Sequence, residues 1–282
     1  MNYVTLKEAK QYLKLDADNT TDDDLLAVFI EWSTTFIEYY KGRHYDPRFE
    51  TRVFAVPSSG RSSFGVFEPR LQPLPAQPAL RLDEDLLEAE TLTNGDGAVI
   101  TDYLLEPANV YPKTRVRLKN GSAWQSDADG ESRQVIALKG LWGSHDKYPQ
   151  AWRDSGQIVM DNPLSSGATT ITVAERTPFS AGQLLRIDDE LMLIISTAPI
   201  LTVERAFNGS SAAVHVTGSK ILIWKPQGNI TQACLRLVKW RYSQKDVDIF
   251  DKSYNTESGM MSIPTAIPVD VLFLLGASKV AL

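Results

Sequence analysis

The sequence predicts an α+β protein: a helical core built from both ends of the chain, with β-rich segments and an inserted small β-barrel or sandwich module between them. Three observations carry this. A helical apolar period fills the first 45 residues, strand-like alternation broken by Asn-Gly and Asp-Gly turns fills the middle, and the helical period returns near residue 229. The chain divides accordingly into 1–55 (first part of the helical core), 56–160 (β-rich), 161–226 (inserted all-β module) and 227–282 (a helix and tail completing the core).

The first helix is announced by Thr5-Leu6-Lys7-Glu8. Its hydroxyl and carboxylate fit a capping box, in which each side chain satisfies a free amide at the helix start. A second start falls at Thr21 or Asp22, where Asp23 and Asp24 face the positive end of the helix dipole. Leu25, Phe29, Trp32, Phe36 and Tyr40 follow at helical spacing, with Leu26, Ile30, Ser33 and Ile37 beside them. The first row is expected to lie buried against a later helix, Ile230–Trp240. Gly42 closes the helix.

From Asp46 the pattern changes. Ser58–Ser63 reads as a loop, and Pro69, Pro73, Pro75 and Pro78 enforce extended backbone. Strands are expected at Leu86–Leu92, Val99–Leu105, Arg115–Leu118 and Gln134–Leu141, with a turn at Asn94-Gly95-Asp96-Gly97. The module 161–226 supplies further strands at Thr169–Val173, Leu184–Ile187, Leu191–Ile195, Ile200–Arg205 and Lys220–Trp224. Between two of these, Asp188-Asp189-Glu190 reads as a solvated hairpin turn rather than a paired-carboxylate site. Asn229 then caps a helix whose apolar stripe is Ile230, Ala233, Cys234, Leu237 and Val238.

Composition bounds the function. Hydrophobic residues make up 43% and charged residues 23% of 282, ordinary values for a folded globular chain. The net charge of −6 lacks the basic footprint of a dedicated nucleic-acid binder. The N-terminus lacks a signal-peptide pattern, no apolar run reaches transmembrane length, and the expectation is a cytosolic protein without membrane contact. One cysteine, Cys234, permits no internal disulfide and reads as a small buried apolar residue.

Chemistry is scarce. His44, His145 and His215 are far apart, none at metal-ligand spacing, and each reads as a surface or turn residue. The acidic loop Asp16, Asp18, Thr20 begins like a calcium loop but has Thr21 and Ala27 where that loop needs Gly and Glu. Nucleophile-elbow, Walker and dinucleotide-binding patterns do not occur. No catalytic, cofactor-binding or metal residue is therefore nominated, and the chain is expected not to be an enzyme.

A partner surface is nominated instead. Arg236 and Lys239 give the late helix a basic strip away from its apolar stripe. The tail segment holding Met260, Met261, Ile263, Pro264, Ile267 and Pro268 is apolar and proline-stiffened, suited to docking in extended form.

Several of these pieces, in order, match one family. Thr5–Leu13, Asp22–Leu26, the helix ending at Tyr39-Tyr40, Leu74-Pro75-Ala76-Gln77-Pro78, Asp102-Tyr103-Leu104-Leu105-Glu106-Pro107, Ala137–Gly143 and Ile230–Trp240 together resemble the tailed-bacteriophage head–tail connector (adaptor) proteins. The block 161–224 departs from compact connectors; its Val203–Ser210 stretch and His215 resemble a small β module of other phage structural proteins. The resemblance implies a helical connector core and a homo-oligomeric ring, dodecameric by analogy, at the virion neck after assembly in the host cytoplasm. Its partners would be the portal protein and a tail or stopper protein, and Arg236, Lys239 and the tail segment would face a neighbouring subunit or the portal. DNA would pass through the lumen without specific binding, which an acidic wall favours by repelling phosphate. The alternative is a tail or baseplate adhesin binding a cell-surface glycan through Trp124, Trp142 and Trp152.

Overall fold

A computed structural model describes residues 1–57, 78–119, 121–245, 253–255, 260–262 and 267–276. The class is α+β, as expected, with two six-stranded antiparallel sheets and a separate two-stranded pair. The loop at 58–63, Pro69, Pro73 and the Leu74–Gln77 part of the proline segment lie outside the described residues, as do Ile263 and Pro264. No helix of the described residues is long and apolar enough to cross a membrane. The chain forms two compact units, Met1–Asp46 with Pro149–Leu282, and Pro47–Tyr148.

In the first unit, helices α1 (Leu6–Leu13), α2 (Asp23–Lys41), α3 (Gly228–Tyr242) and α4 (Val269–Leu274) share one apolar core. The capping box forms: Glu8 N donates to Thr5 Oγ1 at 3.2 Å, and Thr5 N donates to Glu8 Oε2 at 2.7 Å. Gly42 ends α2 in the left-handed conformation that glycine adopts without strain. The stripe of α3 is buried as read: Ile230, Ala233, Cys234, Leu237 and Val238.

On α2 the expectation needs correcting by one helical step. The row at its centre is Leu26, Ile30, Ser33, Thr34 and Ile37, while Leu25, Phe29, Trp32 and Phe36 are half-buried and Tyr40 is exposed. Both rows repeat at helical period, so periodicity alone could not choose between them. Ser33 is accommodated at the centre because its hydroxyl donates back to Phe29 O at 2.7 Å.

The first unit also holds the sheet β7 (Trp152–Ile158), β12 (Lys220–Trp224), β9 (Leu184–Ile187), β10 (Glu190–Ser196), β11 (Leu201–Glu204) and β8 (Thr170–Ile171), in that spatial order. Its core gathers Ile171, Leu185, Ile187, Met192, Ile194, Leu201 and Ile223 among others. β7 and β8 stand at the ends of the pairing path, so no closed barrel forms among the described residues. Strand β7, whose residues fell within the segment 56–160 in the sequence with no strand expected there, pairs with β12. Alternation identifies a strand but not its partner, and this partner is more than 60 residues away.

The second unit is the sheet β1 (Arg48–Phe54), β6 (Ile136–Trp142), β2 (Leu80–Thr93), β5 (Lys113–Leu118) and β4 (Tyr103–Glu106), with β3 (Val99–Ile100) hairpinned onto β2. The turn at Asn94–Gly97 forms where Asn94 N donates to Ala98 O at 2.8 Å and Gly97 takes a positive φ. Gly140, on the strand between β1 and β2, has no alternative: a Cβ there would lie 2.3 Å from Glu88 O.

Candidate functional site

Part of the nominated partner surface is engaged by the chain itself. Arg236 on α3 forms an ion pair with Asp270 on α4, and hydrogen bonds to Tyr12 and then to Asp270 raise its guanidinium pKa. Lys239 Nζ lies 5.8 Å from the centroid of the same Tyr12 ring. Ile267 packs against the helical core, and Pro268 immediately precedes α4, whose Val271 is buried, as is Leu275 just after it. Two bonds hold that end: Lys41 Nζ to Leu275 O at 2.7 Å and Asn229 Nδ2 to Leu274 O at 3.2 Å. Residues 267–276 thus fold back on their own helices instead of extending from them. Met260 and Met261 lie on β14 (Met260–Ser262), which pairs with β13 (Ser253–Asn255). Ile263 and Pro264 lie outside the described residues.

The helical unit does present an aromatic strip. The Trp32 and Phe36 rings stack at 5.5 Å, Phe36 and Tyr40 at 6.0 Å, and Trp240 lies 6.2 Å from Trp32. The Arg241 guanidinium sits 4.1 Å over Trp32 and 4.9 Å over Trp240, a cation–π arrangement that keeps a charge on an apolar face. Beside it Tyr39 is 88% exposed, and on α4 Val269 and Phe273 are also exposed.

The densest polar cluster lies in the sheet of the first unit, and the sequence reading missed it. Glu190, taken for part of a solvated turn, is 1% exposed. The turn itself is Asp188-Asp189, with Asp188 at φ +50, and Glu190 is the first inward residue of β10, opposite Ile187. Arg205 grips Glu190 in a fork, Nε to Oε1 at 2.6 Å and Nη2 to Oε2 at 2.7 Å. Ala206 N and Ala213 N donate to the same carboxylate. The remaining Arg205 donors reach the carbonyls of Ser165, Ala168 and Ala213.

His215, expected at the surface or in a turn, is buried within this cluster. Its Nε2 lies 2.9 Å from Glu190 Oε2 and its Nδ1 2.7 Å from Asp188 Oδ2. Burial pushes the Glu190 carboxyl up, but the Arg205 fork, the Ala213 and Ala206 amides and His215 outweigh it and hold its pKa at about 2. A carboxylate whose oxygens are so fully occupied is unsuited to proton transfer. The cluster ties together the chain at 165–168, the β9–β10 turn and the loop at 205–215, which is a structural task.

The other candidates separate. His145 is buried, with Nδ1 accepting from Lys147 N at 3.1 Å, and His44 follows α2. The Asp16 and Asn19 side chains cap their own turns by accepting from Asp18 N and Thr21 N. Of the aromatics nominated for a glycan, Trp124 and Trp142 are buried in the second unit, with indole nitrogens on Pro78 O and Glu50 O. Trp152 packs edge-on to Trp224 at 4.9 Å.

The arrangement defines a chain rich in internal polar clasps. No family model, curated protein or solved structure matches it.

Proposed function

We propose that the chain is a structural, non-catalytic subunit of a ring-shaped head–tail connector of a tailed bacteriophage, joining the portal to the tail and extending the DNA channel. The observation that carries this reading is one helical core that joins α1 and α2 with α3 and α4, while the two six-stranded sheets come from the sequence between α2 and α3. That is the arrangement the connector resemblance implies. The sheet of 152–224 would be the insertion that enlarges this member beyond compact connectors.

Two further features support a subunit role. The aromatic strip from Trp32 to Tyr40, with exposed Tyr39 and Phe273, offers the helical unit apolar surface for neighbours. The best-built polar cluster holds loops in place, as a load-transmitting particle component requires. The proposed partners are further copies of the chain, the portal and a tail or stopper protein, with DNA passing without specific binding. Negative-stain images of the purified chain with portal test the reading: closed rings of about a dozen subunits support it, and trimers that bind glycans favour the adhesin.

A further inference from the structure

Glu38, near the end of α2, and His44 and Asp46, just past it, bring one ligand-type atom each to within 4.8 Å of one another. All three belong to the first unit. Their surroundings are built rather than incidental. Asp46 is fully buried, and its Oδ2 accepts from Asn208 Nδ2 at 2.9 Å and lies 3.5 Å from the Met1 amino nitrogen. Glu38 Oε1 accepts from Tyr3 Oη at 2.7 Å, and Tyr3 Oη in turn accepts from Tyr45 N at 3.0 Å. These contacts hold the two carboxylates in place, as the outer partners of metal ligands do.

The third group supplies the independent observation. His44 Nδ1 is itself shielded from solvent and makes no hydrogen bond, although Glu38 Oε2 stands 3.3 Å away. Its Nδ1 thus has a ligand position unused beside two carboxylates.

We propose that Glu38, His44 and Asp46 form a binding site for one divalent transition-metal ion, zinc foremost. One imidazole and two carboxylates suit zinc or manganese, whereas calcium takes oxygen ligands. Bonds of about 2.1 Å to a shared centre set tetrahedral ligand atoms about 3.4 Å apart, so the three must close inward by roughly 1 Å. His44 allows this, because its side chain is one-third exposed and follows the Gly42 helix end. The bound ion would fasten the segment 42–46 to the end of α2 and to Asn208.

Titration calorimetry of the full chain with zinc chloride at neutral pH, beside thermal melts, tests this. His44→Gln and Glu38→Gln are the variants of choice, since the first lies at the surface and the second keeps an acceptor for Tyr3; Asp46 is left intact because Asn208 depends on it. The expected result is one zinc per chain, a melt raised by zinc, and affinity lowered at least about tenfold in each variant. Absence of saturable zinc binding, binding of calcium as tight as zinc, or zinc affinity unchanged in either variant would overturn the site.

Discussion

Arg205 and Glu190 meet as a buried two-point fork, 2.6 and 2.7 Å, between the first residue of β10 and the residue just after β11. Both side chains are almost wholly withdrawn from solvent. Removing one partner strands a buried charge, so Arg205→Ala should cost roughly 3–5 kcal/mol in urea unfolding. Glu190→Ala should cost a comparable amount, and the double variant should fall short of the sum by about 0.5–3 kcal/mol. Simple additivity would show that the fork does not act as a unit.

The same carboxyl sets a pH dependence. Its pKa falls from an ordinary 4.5 to about 2 on folding, so its stabilising contribution is complete above pH 4.5. That contribution is lost as pH falls from there towards 2. Urea midpoints across this range should decline in the parent chain and decline less steeply in Glu190→Gln.

Core position on α2 separates neighbouring rows. Leu26→Ala, at a fully buried site, should cost about 2–5 kcal/mol, and Leu237→Ala on the facing stripe of α3 the same. Tyr39→Ala should stay within about 0.5 kcal/mol, because that ring is almost entirely in solvent. Equal losses at Leu26 and Tyr39 would mean the helix is rotated from its described setting.

Cys234 should be inert in the folded chain. Burial pushes its thiol up to about 12, partly opposed by a hydrogen bond with Thr34, so the reactive thiolate is scarce and shielded. A thiol reagent should label it only at the rate of unfolding, and prompt labelling in native buffer would contradict its place between α2 and α3.

The returning tail makes a prediction for the helical core. Leu275→Ala should cost about 2–5 kcal/mol, since Leu275 is buried with Val271 against α3. A thermal shift near zero would mean that α4 leaves the core in solution.

What the sequence disclosed and what it hid follow a physical division. Local features were legible: the Thr5–Glu8 box, the Gly42 stop, the α3 stripe and the Asn94–Gly97 turn each depend on residues a few positions apart. Features needing distant partners were not. Glu190 gains its burial from Arg205, 15 residues on, and from His215, 25 residues on; within Asp188-Asp189-Glu190 it looks like any turn acid. A period-two reading through Glu190, Met192 and Ile194 would have put it on the inward face. Glu38, His44 and Asp46 escaped for a similar reason, because a helix end bends them together and no fixed spacing records the bend.

The proposed connector role stands or falls most directly on the mass of the purified chain measured by light scattering, alone and with portal protein. Portal should drive assembly into a ring-sized species of about a dozen copies that co-elutes with it. A chain that stays monomeric and unbound at high portal concentration would rule that role out.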